Sequence, residues 1–345
     1  LFGTSRVDLG SAPDNPYFFG KKVINLASYG QSIEESVRLL IHHHTYAPAT
    51  HQQQVILGLD FFAFNALSSF PSDYDDLNYL DTRPLQLLLS FTSLSESVKS
   101  LVYNHPVEMN ACCDKNGFYY RARPEQLRGH YPGLFSKFVK GFLAEDKWLS
   151  GQECRYRFQN SSKRNTLDAF RSLLKFAYKN HLDLKMYISP AHAWIWEALA
   201  SSGLWGEWEN WKSAMLDISL EEAQLAGQAP FPLWDFSGYD QFSTEAIPHK
   251  DDHQSVMRWY LDSSHYSPEL GEHIIARMTG TEKDMLFSAW GVLLARDIIH
   301  DHFEAIKSAR IRYESTHQDD LKKIMTIVRD VEEKKRCPFK FSELN

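Results

Sequence analysis

A chain of 345 residues, 43% hydrophobic and 23% charged, holds ample apolar material for one large core or two smaller ones. Its formal net charge of -7, with no basic run of helix length, argues against a general nucleic-acid surface. Cys112, Cys113, Cys154 and Cys337 lack CxxC spacing, which argues against a zinc ribbon and leaves both a single bridge and the redox compartment open.

In chain order, "LFG" reads as the end of a strand and "TSRV" as the turn out of it. The first residue is Leu1, not Met, so the natural start is expected upstream, together with any signal or membrane anchor. No apolar run reaches the ~18 residues of a membrane helix. "KKVINLAS" is a short β-rich run closed by Tyr29 and Gly30. "SIEESVRLLIHHHTY" has helical spacing, with Ile33, Val37, Leu40 and Ile41 on one face. "QQVILGLDFF" has the apolar, β-branched character of a buried strand. Strand, helix and strand at these intervals predict a right-handed βαβ unit in a parallel sheet.

Residues 66–164 mix short helical pieces with loops rich in Gly, Pro and Tyr, and read as an insertion or cap. Alternation then resumes. "NTLDAFRSLLKFAYKNHL" predicts a helix, "DLKMYISP" a strand, and the Trp-rich stretch that follows one or two helices. "FPLWDFSG" predicts a further strand, ahead of "YLDSSHYSPELG" and a helix over "SPELGEHIIARM". The α/β core thus spans 1–65 and 165–280. Residues 281–345 read as a helical extension, alternately charged, packed on the body at one end and solvated at the other.

One constellation carries chemistry. A serine hydroxyl is a poor nucleophile until a histidine takes its proton and a carboxylate orients that histidine. Ser5 follows the first strand, and in an open parallel sheet ligands collect beyond the carboxyl ends of the strands. Asp262 and His265 are close enough in sequence for one loop to present both. Ser267 and Pro268 then start a helix as N-cap and first residue. A lone Gly-x-Ser or Asp-x-x-His is commonly just a turn. Their joint placement carries the functional reading.

The motifs G-T-S-R at residues 3–6 and D-S-S-H-Y at 262–266 resemble the SGNH/GDSL hydrolase superfamily. The match is closer to its extracytoplasmic branch of D-alanine transfer proteins and alginate-type O-acetyltransferases. It covers 1–65 and about 165–280. The resemblance implies a three-layer, flavodoxin-like parallel sheet with helices on both faces. It implies Ser5 as nucleophile, His265 as base and Asp262 as its orienting acid, with the backbone N–H groups of Ser5 and Gly30 binding the oxyanion. The third motif departs from the family, because Asp60 stands where its asparagine is usual. A carboxylate cannot donate to an oxyanion and would repel it. Either Asp60 has another role, Asn65 swings in, or only backbone donors serve.

The implied activity is serine-dependent acyl transfer to a cell-envelope or exopolysaccharide sugar, outside the cytoplasm, with a membrane-bound acyl-donor partner. A carbohydrate or lipid esterase and a catalytically silent binding or assembly subunit are the alternatives. The resemblance implies neither a metal nor an organic cofactor.

Several further residues have two readings. Arg6, beside the nucleophile, suits a substrate carboxylate or phosphate, or a structural salt bridge. His192, in "YISPAHAW", suits a substrate contact or a helix-starting loop. Asp235, in "LWDFSGYD", suits a role at the site or as partner to Arg6. Trp205, Trp208 and Trp211 form a helical stripe that fits a core, although aromatic faces also stack on sugars. His42, His43 and His44 are consecutive, so a helix points them in different directions and they cannot chelate one ion together. They read as surface, as do His300 and His302.

Overall fold

The computed structural model describes residues 1–46, 53–68, 116–118, 124–144, 148 and 156–335. All four cysteines and most of the expected insertion lie outside the described residues.

Val55–Leu59 is buried at every position, as a strand covered on both faces requires, and forms β1 (Gln54–Leu59). β2 (Asp183–Ile188) runs parallel to it, in register from Gln54↔Asp183 to Leu59↔Ile188. β3 (Leu233–Asp235) is parallel to β2, and β4 (Val292–Leu293) is antiparallel to β3. This four-stranded, mostly parallel sheet makes the protein α/β.

The ladder continues past β1. Phe2 bridges Leu57 in parallel, with Phe2 N–H to Ile56 O and Gly58 N–H to Phe2 O both at 3.0 Å. Residues 24–28 then pair with 1–3. The Leu1 amino group donates to Ile24 O at 2.7 Å, Leu26 N–H to Leu1 O at 2.9 Å and Ser28 N–H to Gly3 O at 3.1 Å. The spatial order is therefore 24–28, 1–3, β1, β2, β3, β4. The chain enters inside the sheet, steps outward once, then crosses back and proceeds the other way.

Right-handed crossovers that step in opposite directions put their helices on opposite faces. The packing follows that rule. α2 (Ile33–Tyr46), α4 (Thr166–Lys179) and α6 (Trp205–Ala226) pack in series, while α1 (Ser5–Gly10) pairs with α7 (Pro268–Thr279). α3 (Tyr131–Ala144) packs against α5 (Ala193–Ser201), and α10 (Gln318–Lys335) packs against both. The order of capping residues matches the sequence. Asn165 caps α4 and Ser267 caps α7, with Pro268 in its first turn. The tryptophan stripe is core, since Trp208 and Trp211 are fully enclosed and Trp205 is half-buried.

The stretch expected to be a helical extension does more than append helices. After the short α8 (Met285–Ser288), β4 supplies an edge strand, and α9 (Ile299–Thr316) sends two side chains into the body. His302 reaches the buried Asp235 carboxylate at 2.8 Å, so it is not a surface residue as its sequence context suggested; His300 is exposed. Arg310 pairs with the buried Glu197 at 3.0 Å. The reason is that a buried carboxylate needs a partner, and the tail delivers two of them.

α1 and α7 approach so closely that neither can carry a side chain at the contact. A Cβ on Gly271 would sit 1.7 Å from the Gly10 carbonyl oxygen, and one on Gly10 would sit 1.8 Å from the Tyr266 ring. Elsewhere in a helix, Gly→Ala gains about 1 kcal/mol of propensity. Here Gly271→Ala is expected to lose about 1–3 kcal/mol net through overpacking, read by urea denaturation.

Candidate active site

The site is built where residues 1–3 and β1 lie side by side and the crossovers diverge, the topological switch point of such a sheet. Gly3, at φ +141°, turns the chain out of the sheet. A Cβ there would lie 2.4 Å from Val7 Cγ2 and 2.9 Å from the Gly58 carbonyl, so only glycine fits. Thr4 caps α1, accepting from Arg6 N–H at 3.2 Å and donating through Oγ1 to Asp60 Oδ2 at 2.5 Å. Ser5 is the first helical residue, so its N–H is one of the donors that a helix leaves unpaired.

The second half is the tight loop 260–266. Tyr260 and Tyr266 bridge its ends, and Leu261 N–H donates to His265 O at 2.9 Å. Within it, Asp262 Oδ1 accepts Ser264 N–H at 2.7 Å and His265 N–H at 2.9 Å. Its other oxygen faces His265 Nδ1 at 2.8 Å. A carboxylate only accepts, so Nδ1 carries the proton and Nε2 is left with its lone pair. His265 Nε2 lies 2.8 Å from Ser5 Oγ. Serine, histidine and aspartate thus form one continuous hydrogen-bonded chain.

α3 roofs this chain. Ser263 Oγ donates to Phe135 O at 3.0 Å, and the Phe138 ring stands edge-on to His265 at 4.8 Å. Ser5 is left 8% exposed and His265 3%.

Arg6 and Asp60 do not face outward. The Arg6 guanidinium, 4% exposed, donates from Nη1 to Asp60 Oδ1 at 2.7 Å and from Nε to Ser264 Oγ at 3.1 Å. The Phe62 and Phe142 rings, themselves 5.2 Å apart, both pack against it, at 5.6 and 5.5 Å. Of the two readings of Arg6 the structure has the salt bridge, and Asp60, also a candidate substrate contact by sequence, is its partner, because neither charge can be buried alone. The pair also accounts for a carboxylate at this position, since Arg6 compensates its charge beside Ser5.

Three other residues find their partners away from Ser5, His192 in its second, helix-starting reading. Asn65 spends its amide on the backbone, donating to Trp148 O at 3.3 Å and accepting from Leu67 N–H at 3.1 Å, so it does not turn toward Ser5. His192 is a buried strut. It caps α5, its Nε2–H donates to Glu245 O at 2.8 Å, and its backbone N–H holds Ser263 O at 3.1 Å. Asp235 neither holds Arg6 nor joins the triad. It pairs with Lys212 at 2.7 Å and with His302, and accepts from Ser237 Oγ. Burial would raise this carboxyl, but Lys212 and His302 hold it well below the usual carboxylate range. Gly30, at φ +67°, lies beyond Ser28 on the rim where residues 1–3 end, and a Cβ there would touch nothing.

Sequence reasoning missed Lys212 and the Arg6–Ser264 bond. Lys212 is a charged side chain in the interior, which a charge pattern read along one helix assigns to solvent, and the Arg6–Ser264 bond joins segments 258 residues apart, which no local pattern links. Behind Arg6 and Asp60 lies a cavity with room for about one water, lined also by Ser189, Trp208 and Trp211. The Ser189 hydroxyl and both indole N–H groups are without a hydrogen-bond partner. Among the described residues no cluster of His, Cys, Asp or Glu is placed to hold a metal ion.

Comparison with known proteins brings no family model, no curated protein and no solved structure that matches the chain.

Burial lowers the His192 imidazole to about pH 4, below its value in the unfolded chain. The unfolded state then takes up this proton first as pH falls. Its contribution is fully present above about pH 6.5 and is lost between there and pH 4, on the order of 3 kcal/mol in all. The thermal midpoint should drop through that window, and His192→Asn, which keeps a capping acceptor, should flatten the drop.

Proposed function

We propose that the protein is a serine-dependent acyl-transfer enzyme working through an acyl-Ser5 intermediate. The observation that carries this reading is the unbroken contact chain from Ser5 Oγ through His265 to Asp262, with both links at 2.8 Å. The sheet order supports it, because the reversal beside Ser5 is what the SGNH resemblance leads one to expect. So do the two motifs that carry the resemblance, which meet in space although 260 positions separate Ser5 from His265.

In this reading Ser5 Oγ attacks the acyl carbonyl of an ester or thioester while its proton passes to His265 Nε2. Asp262 holds the ring and stabilises the imidazolium. The Ser5 N–H, with Gly30 as the second donor, binds the oxyanion. Collapse breaks the bond to the leaving alkoxide or thiolate, which takes the proton from His265. An acceptor hydroxyl then gives its proton to His265 and attacks the acyl-serine; collapse breaks the bond to Ser5 Oγ, which takes that proton back from His265 Nε2. By resemblance the acceptor is a sugar hydroxyl of the envelope or an exopolysaccharide. The setting is extracytoplasmic, and the donor is supplied by a membrane-bound partner. Water as acceptor makes the same machinery an esterase.

One observation favours a second reading, a silent fold used as an assembly subunit. The triad is nearly closed over by α3, with Phe138 against His265.

A serine-reactive fluorophosphonate separates the two. Acyl transfer predicts stoichiometric labelling by intact mass, abolished in Ser5→Ala and His265→Ala and slowed by ~10³–10⁴-fold in Asp262→Asn. A folded wild type that takes no label supports the assembly reading.

A further inference from the structure

We infer that Arg6 is a positioning residue, a clasp that holds the nucleophile's helix against the base's loop and thereby sets the Ser5–His265 distance. The inference rests on the acyl-transfer reading only for its chemistry; its geometry stands apart.

Ser5 and His265 belong to different elements, α1 and the loop 260–266, joined through side-chain hydrogen bonds. Arg6 is the residue next to Ser5, and Ser264 is the residue next to His265. The Arg6 Nε–H to Ser264 Oγ bond at 3.1 Å is therefore a link one residue away from the catalytic link, running between the same two elements. Its direction is fixed at both ends. Asp60 holds the guanidinium through Nη1 at 2.7 Å, and also binds Thr4 Oγ1, the cap of the helix that carries Ser5. Ser264 N–H is held by Asp262 Oδ1 at 2.7 Å, the same carboxylate that orients His265. The paired rings of Phe62 and Phe142 pack against the guanidinium at 5.6 and 5.5 Å.

The planar fork explains the residue type. Arginine places Nη1 on Asp60 and Nε on Ser264 at once, with its two donors in one rigid plane. A lysine satisfies the carboxylate with a point charge and has no second, fixed donor for Ser264. Salt-bridge stability and positioning are thus separable by substitution. A displacement of about 1 Å at a reacting pair lowers rate by as much as ~100-fold, which is the scale of effect to look for.

The test uses Arg6→Lys, Ser264→Ala and the double variant, each with a thermal midpoint. The first readout is the maximal rate of fluorophosphonate labelling, separated from apparent affinity by varying probe concentration. The second is the thiol titration of a Ser5→Cys background, followed by thiolate absorbance, which reports the distance to His265 whether or not the protein is an enzyme. The clasp predicts a ~10–100-fold lower maximal rate in both single variants, no further loss in the double, and unchanged affinity. Arg6→Lys keeps a midpoint near wild type. In the Ser5→Cys background both substitutions move the thiol toward its ordinary titration range. Variants that match their parents in both readouts overturn the clasp. Equal recovery of stability and labelling in Arg6→Lys assigns Arg6 to stability alone and also overturns it. A wild type that takes no label, with the thiol shifts present, removes acyl transfer and leaves the clasp standing.

Discussion

Everything at the site follows from residues 1–3 occupying an interior position in the sheet. Phe2 pairs with β1 on one side, while Leu1 and Gly3 pair with residues 24–28 on the other. A strand held on both edges cannot slide, and its exit point is therefore fixed. That exit is Gly3, whose positive φ and contact with Val7 and Gly58 leave no room for another residue. Ser5 is consequently placed just beyond residues 1–3, where the two crossovers diverge.

The complementary half is delivered by contact, with no sheet pairing of its own. The loop carrying Asp262 and His265 is anchored by Tyr266, whose hydroxyl meets that of Tyr187 from β2 at 2.8 Å. The glycine contact between α1 and α7 then brings the two halves to bonding distance. Backbone closeness at Gly10 and Gly271 and a hydrogen bond between side chains at Ser5 and His265 belong to one rigid arrangement. Interiors packed at crystal density transmit such constraints with little give.

Buried charges form the other organising set. Arg6–Asp60, Lys212–Asp235–His302 and Glu197–Arg310 all sit inside the body, and each joins elements distant in sequence. Ion pairs of this kind contribute little net stability, since desolvation offsets the attraction, but breaking one strands a charge. Their effect is on specificity of arrangement. The tail is held to the core by His302 and Arg310, and the helix of Ser5 is held to the loop of His265 by Arg6.

The sequence by itself determined what depends on near neighbours. The alternation of β1, α4, β2 and β3 is written in local periodicity and the Ser267–Pro268 cap in its own two residues, while Ser5, Asp262 and His265 stand out only as two short motifs whose meeting is a tertiary contact. The buried tryptophans were equally legible from their spacing. Tertiary structure alone decided which charges pair. Asp60 with Arg6, Asp235 with Lys212 and His302, and His192 with Glu245 O are contacts between segments, and no local pattern encodes them. The strand at 292–293 escaped for a related reason, because two residues are too few to show a period and only β3 gives them a partner. Local pattern reports which face of an element is apolar. The side chain that meets a buried polar group is chosen by the fold that encloses both.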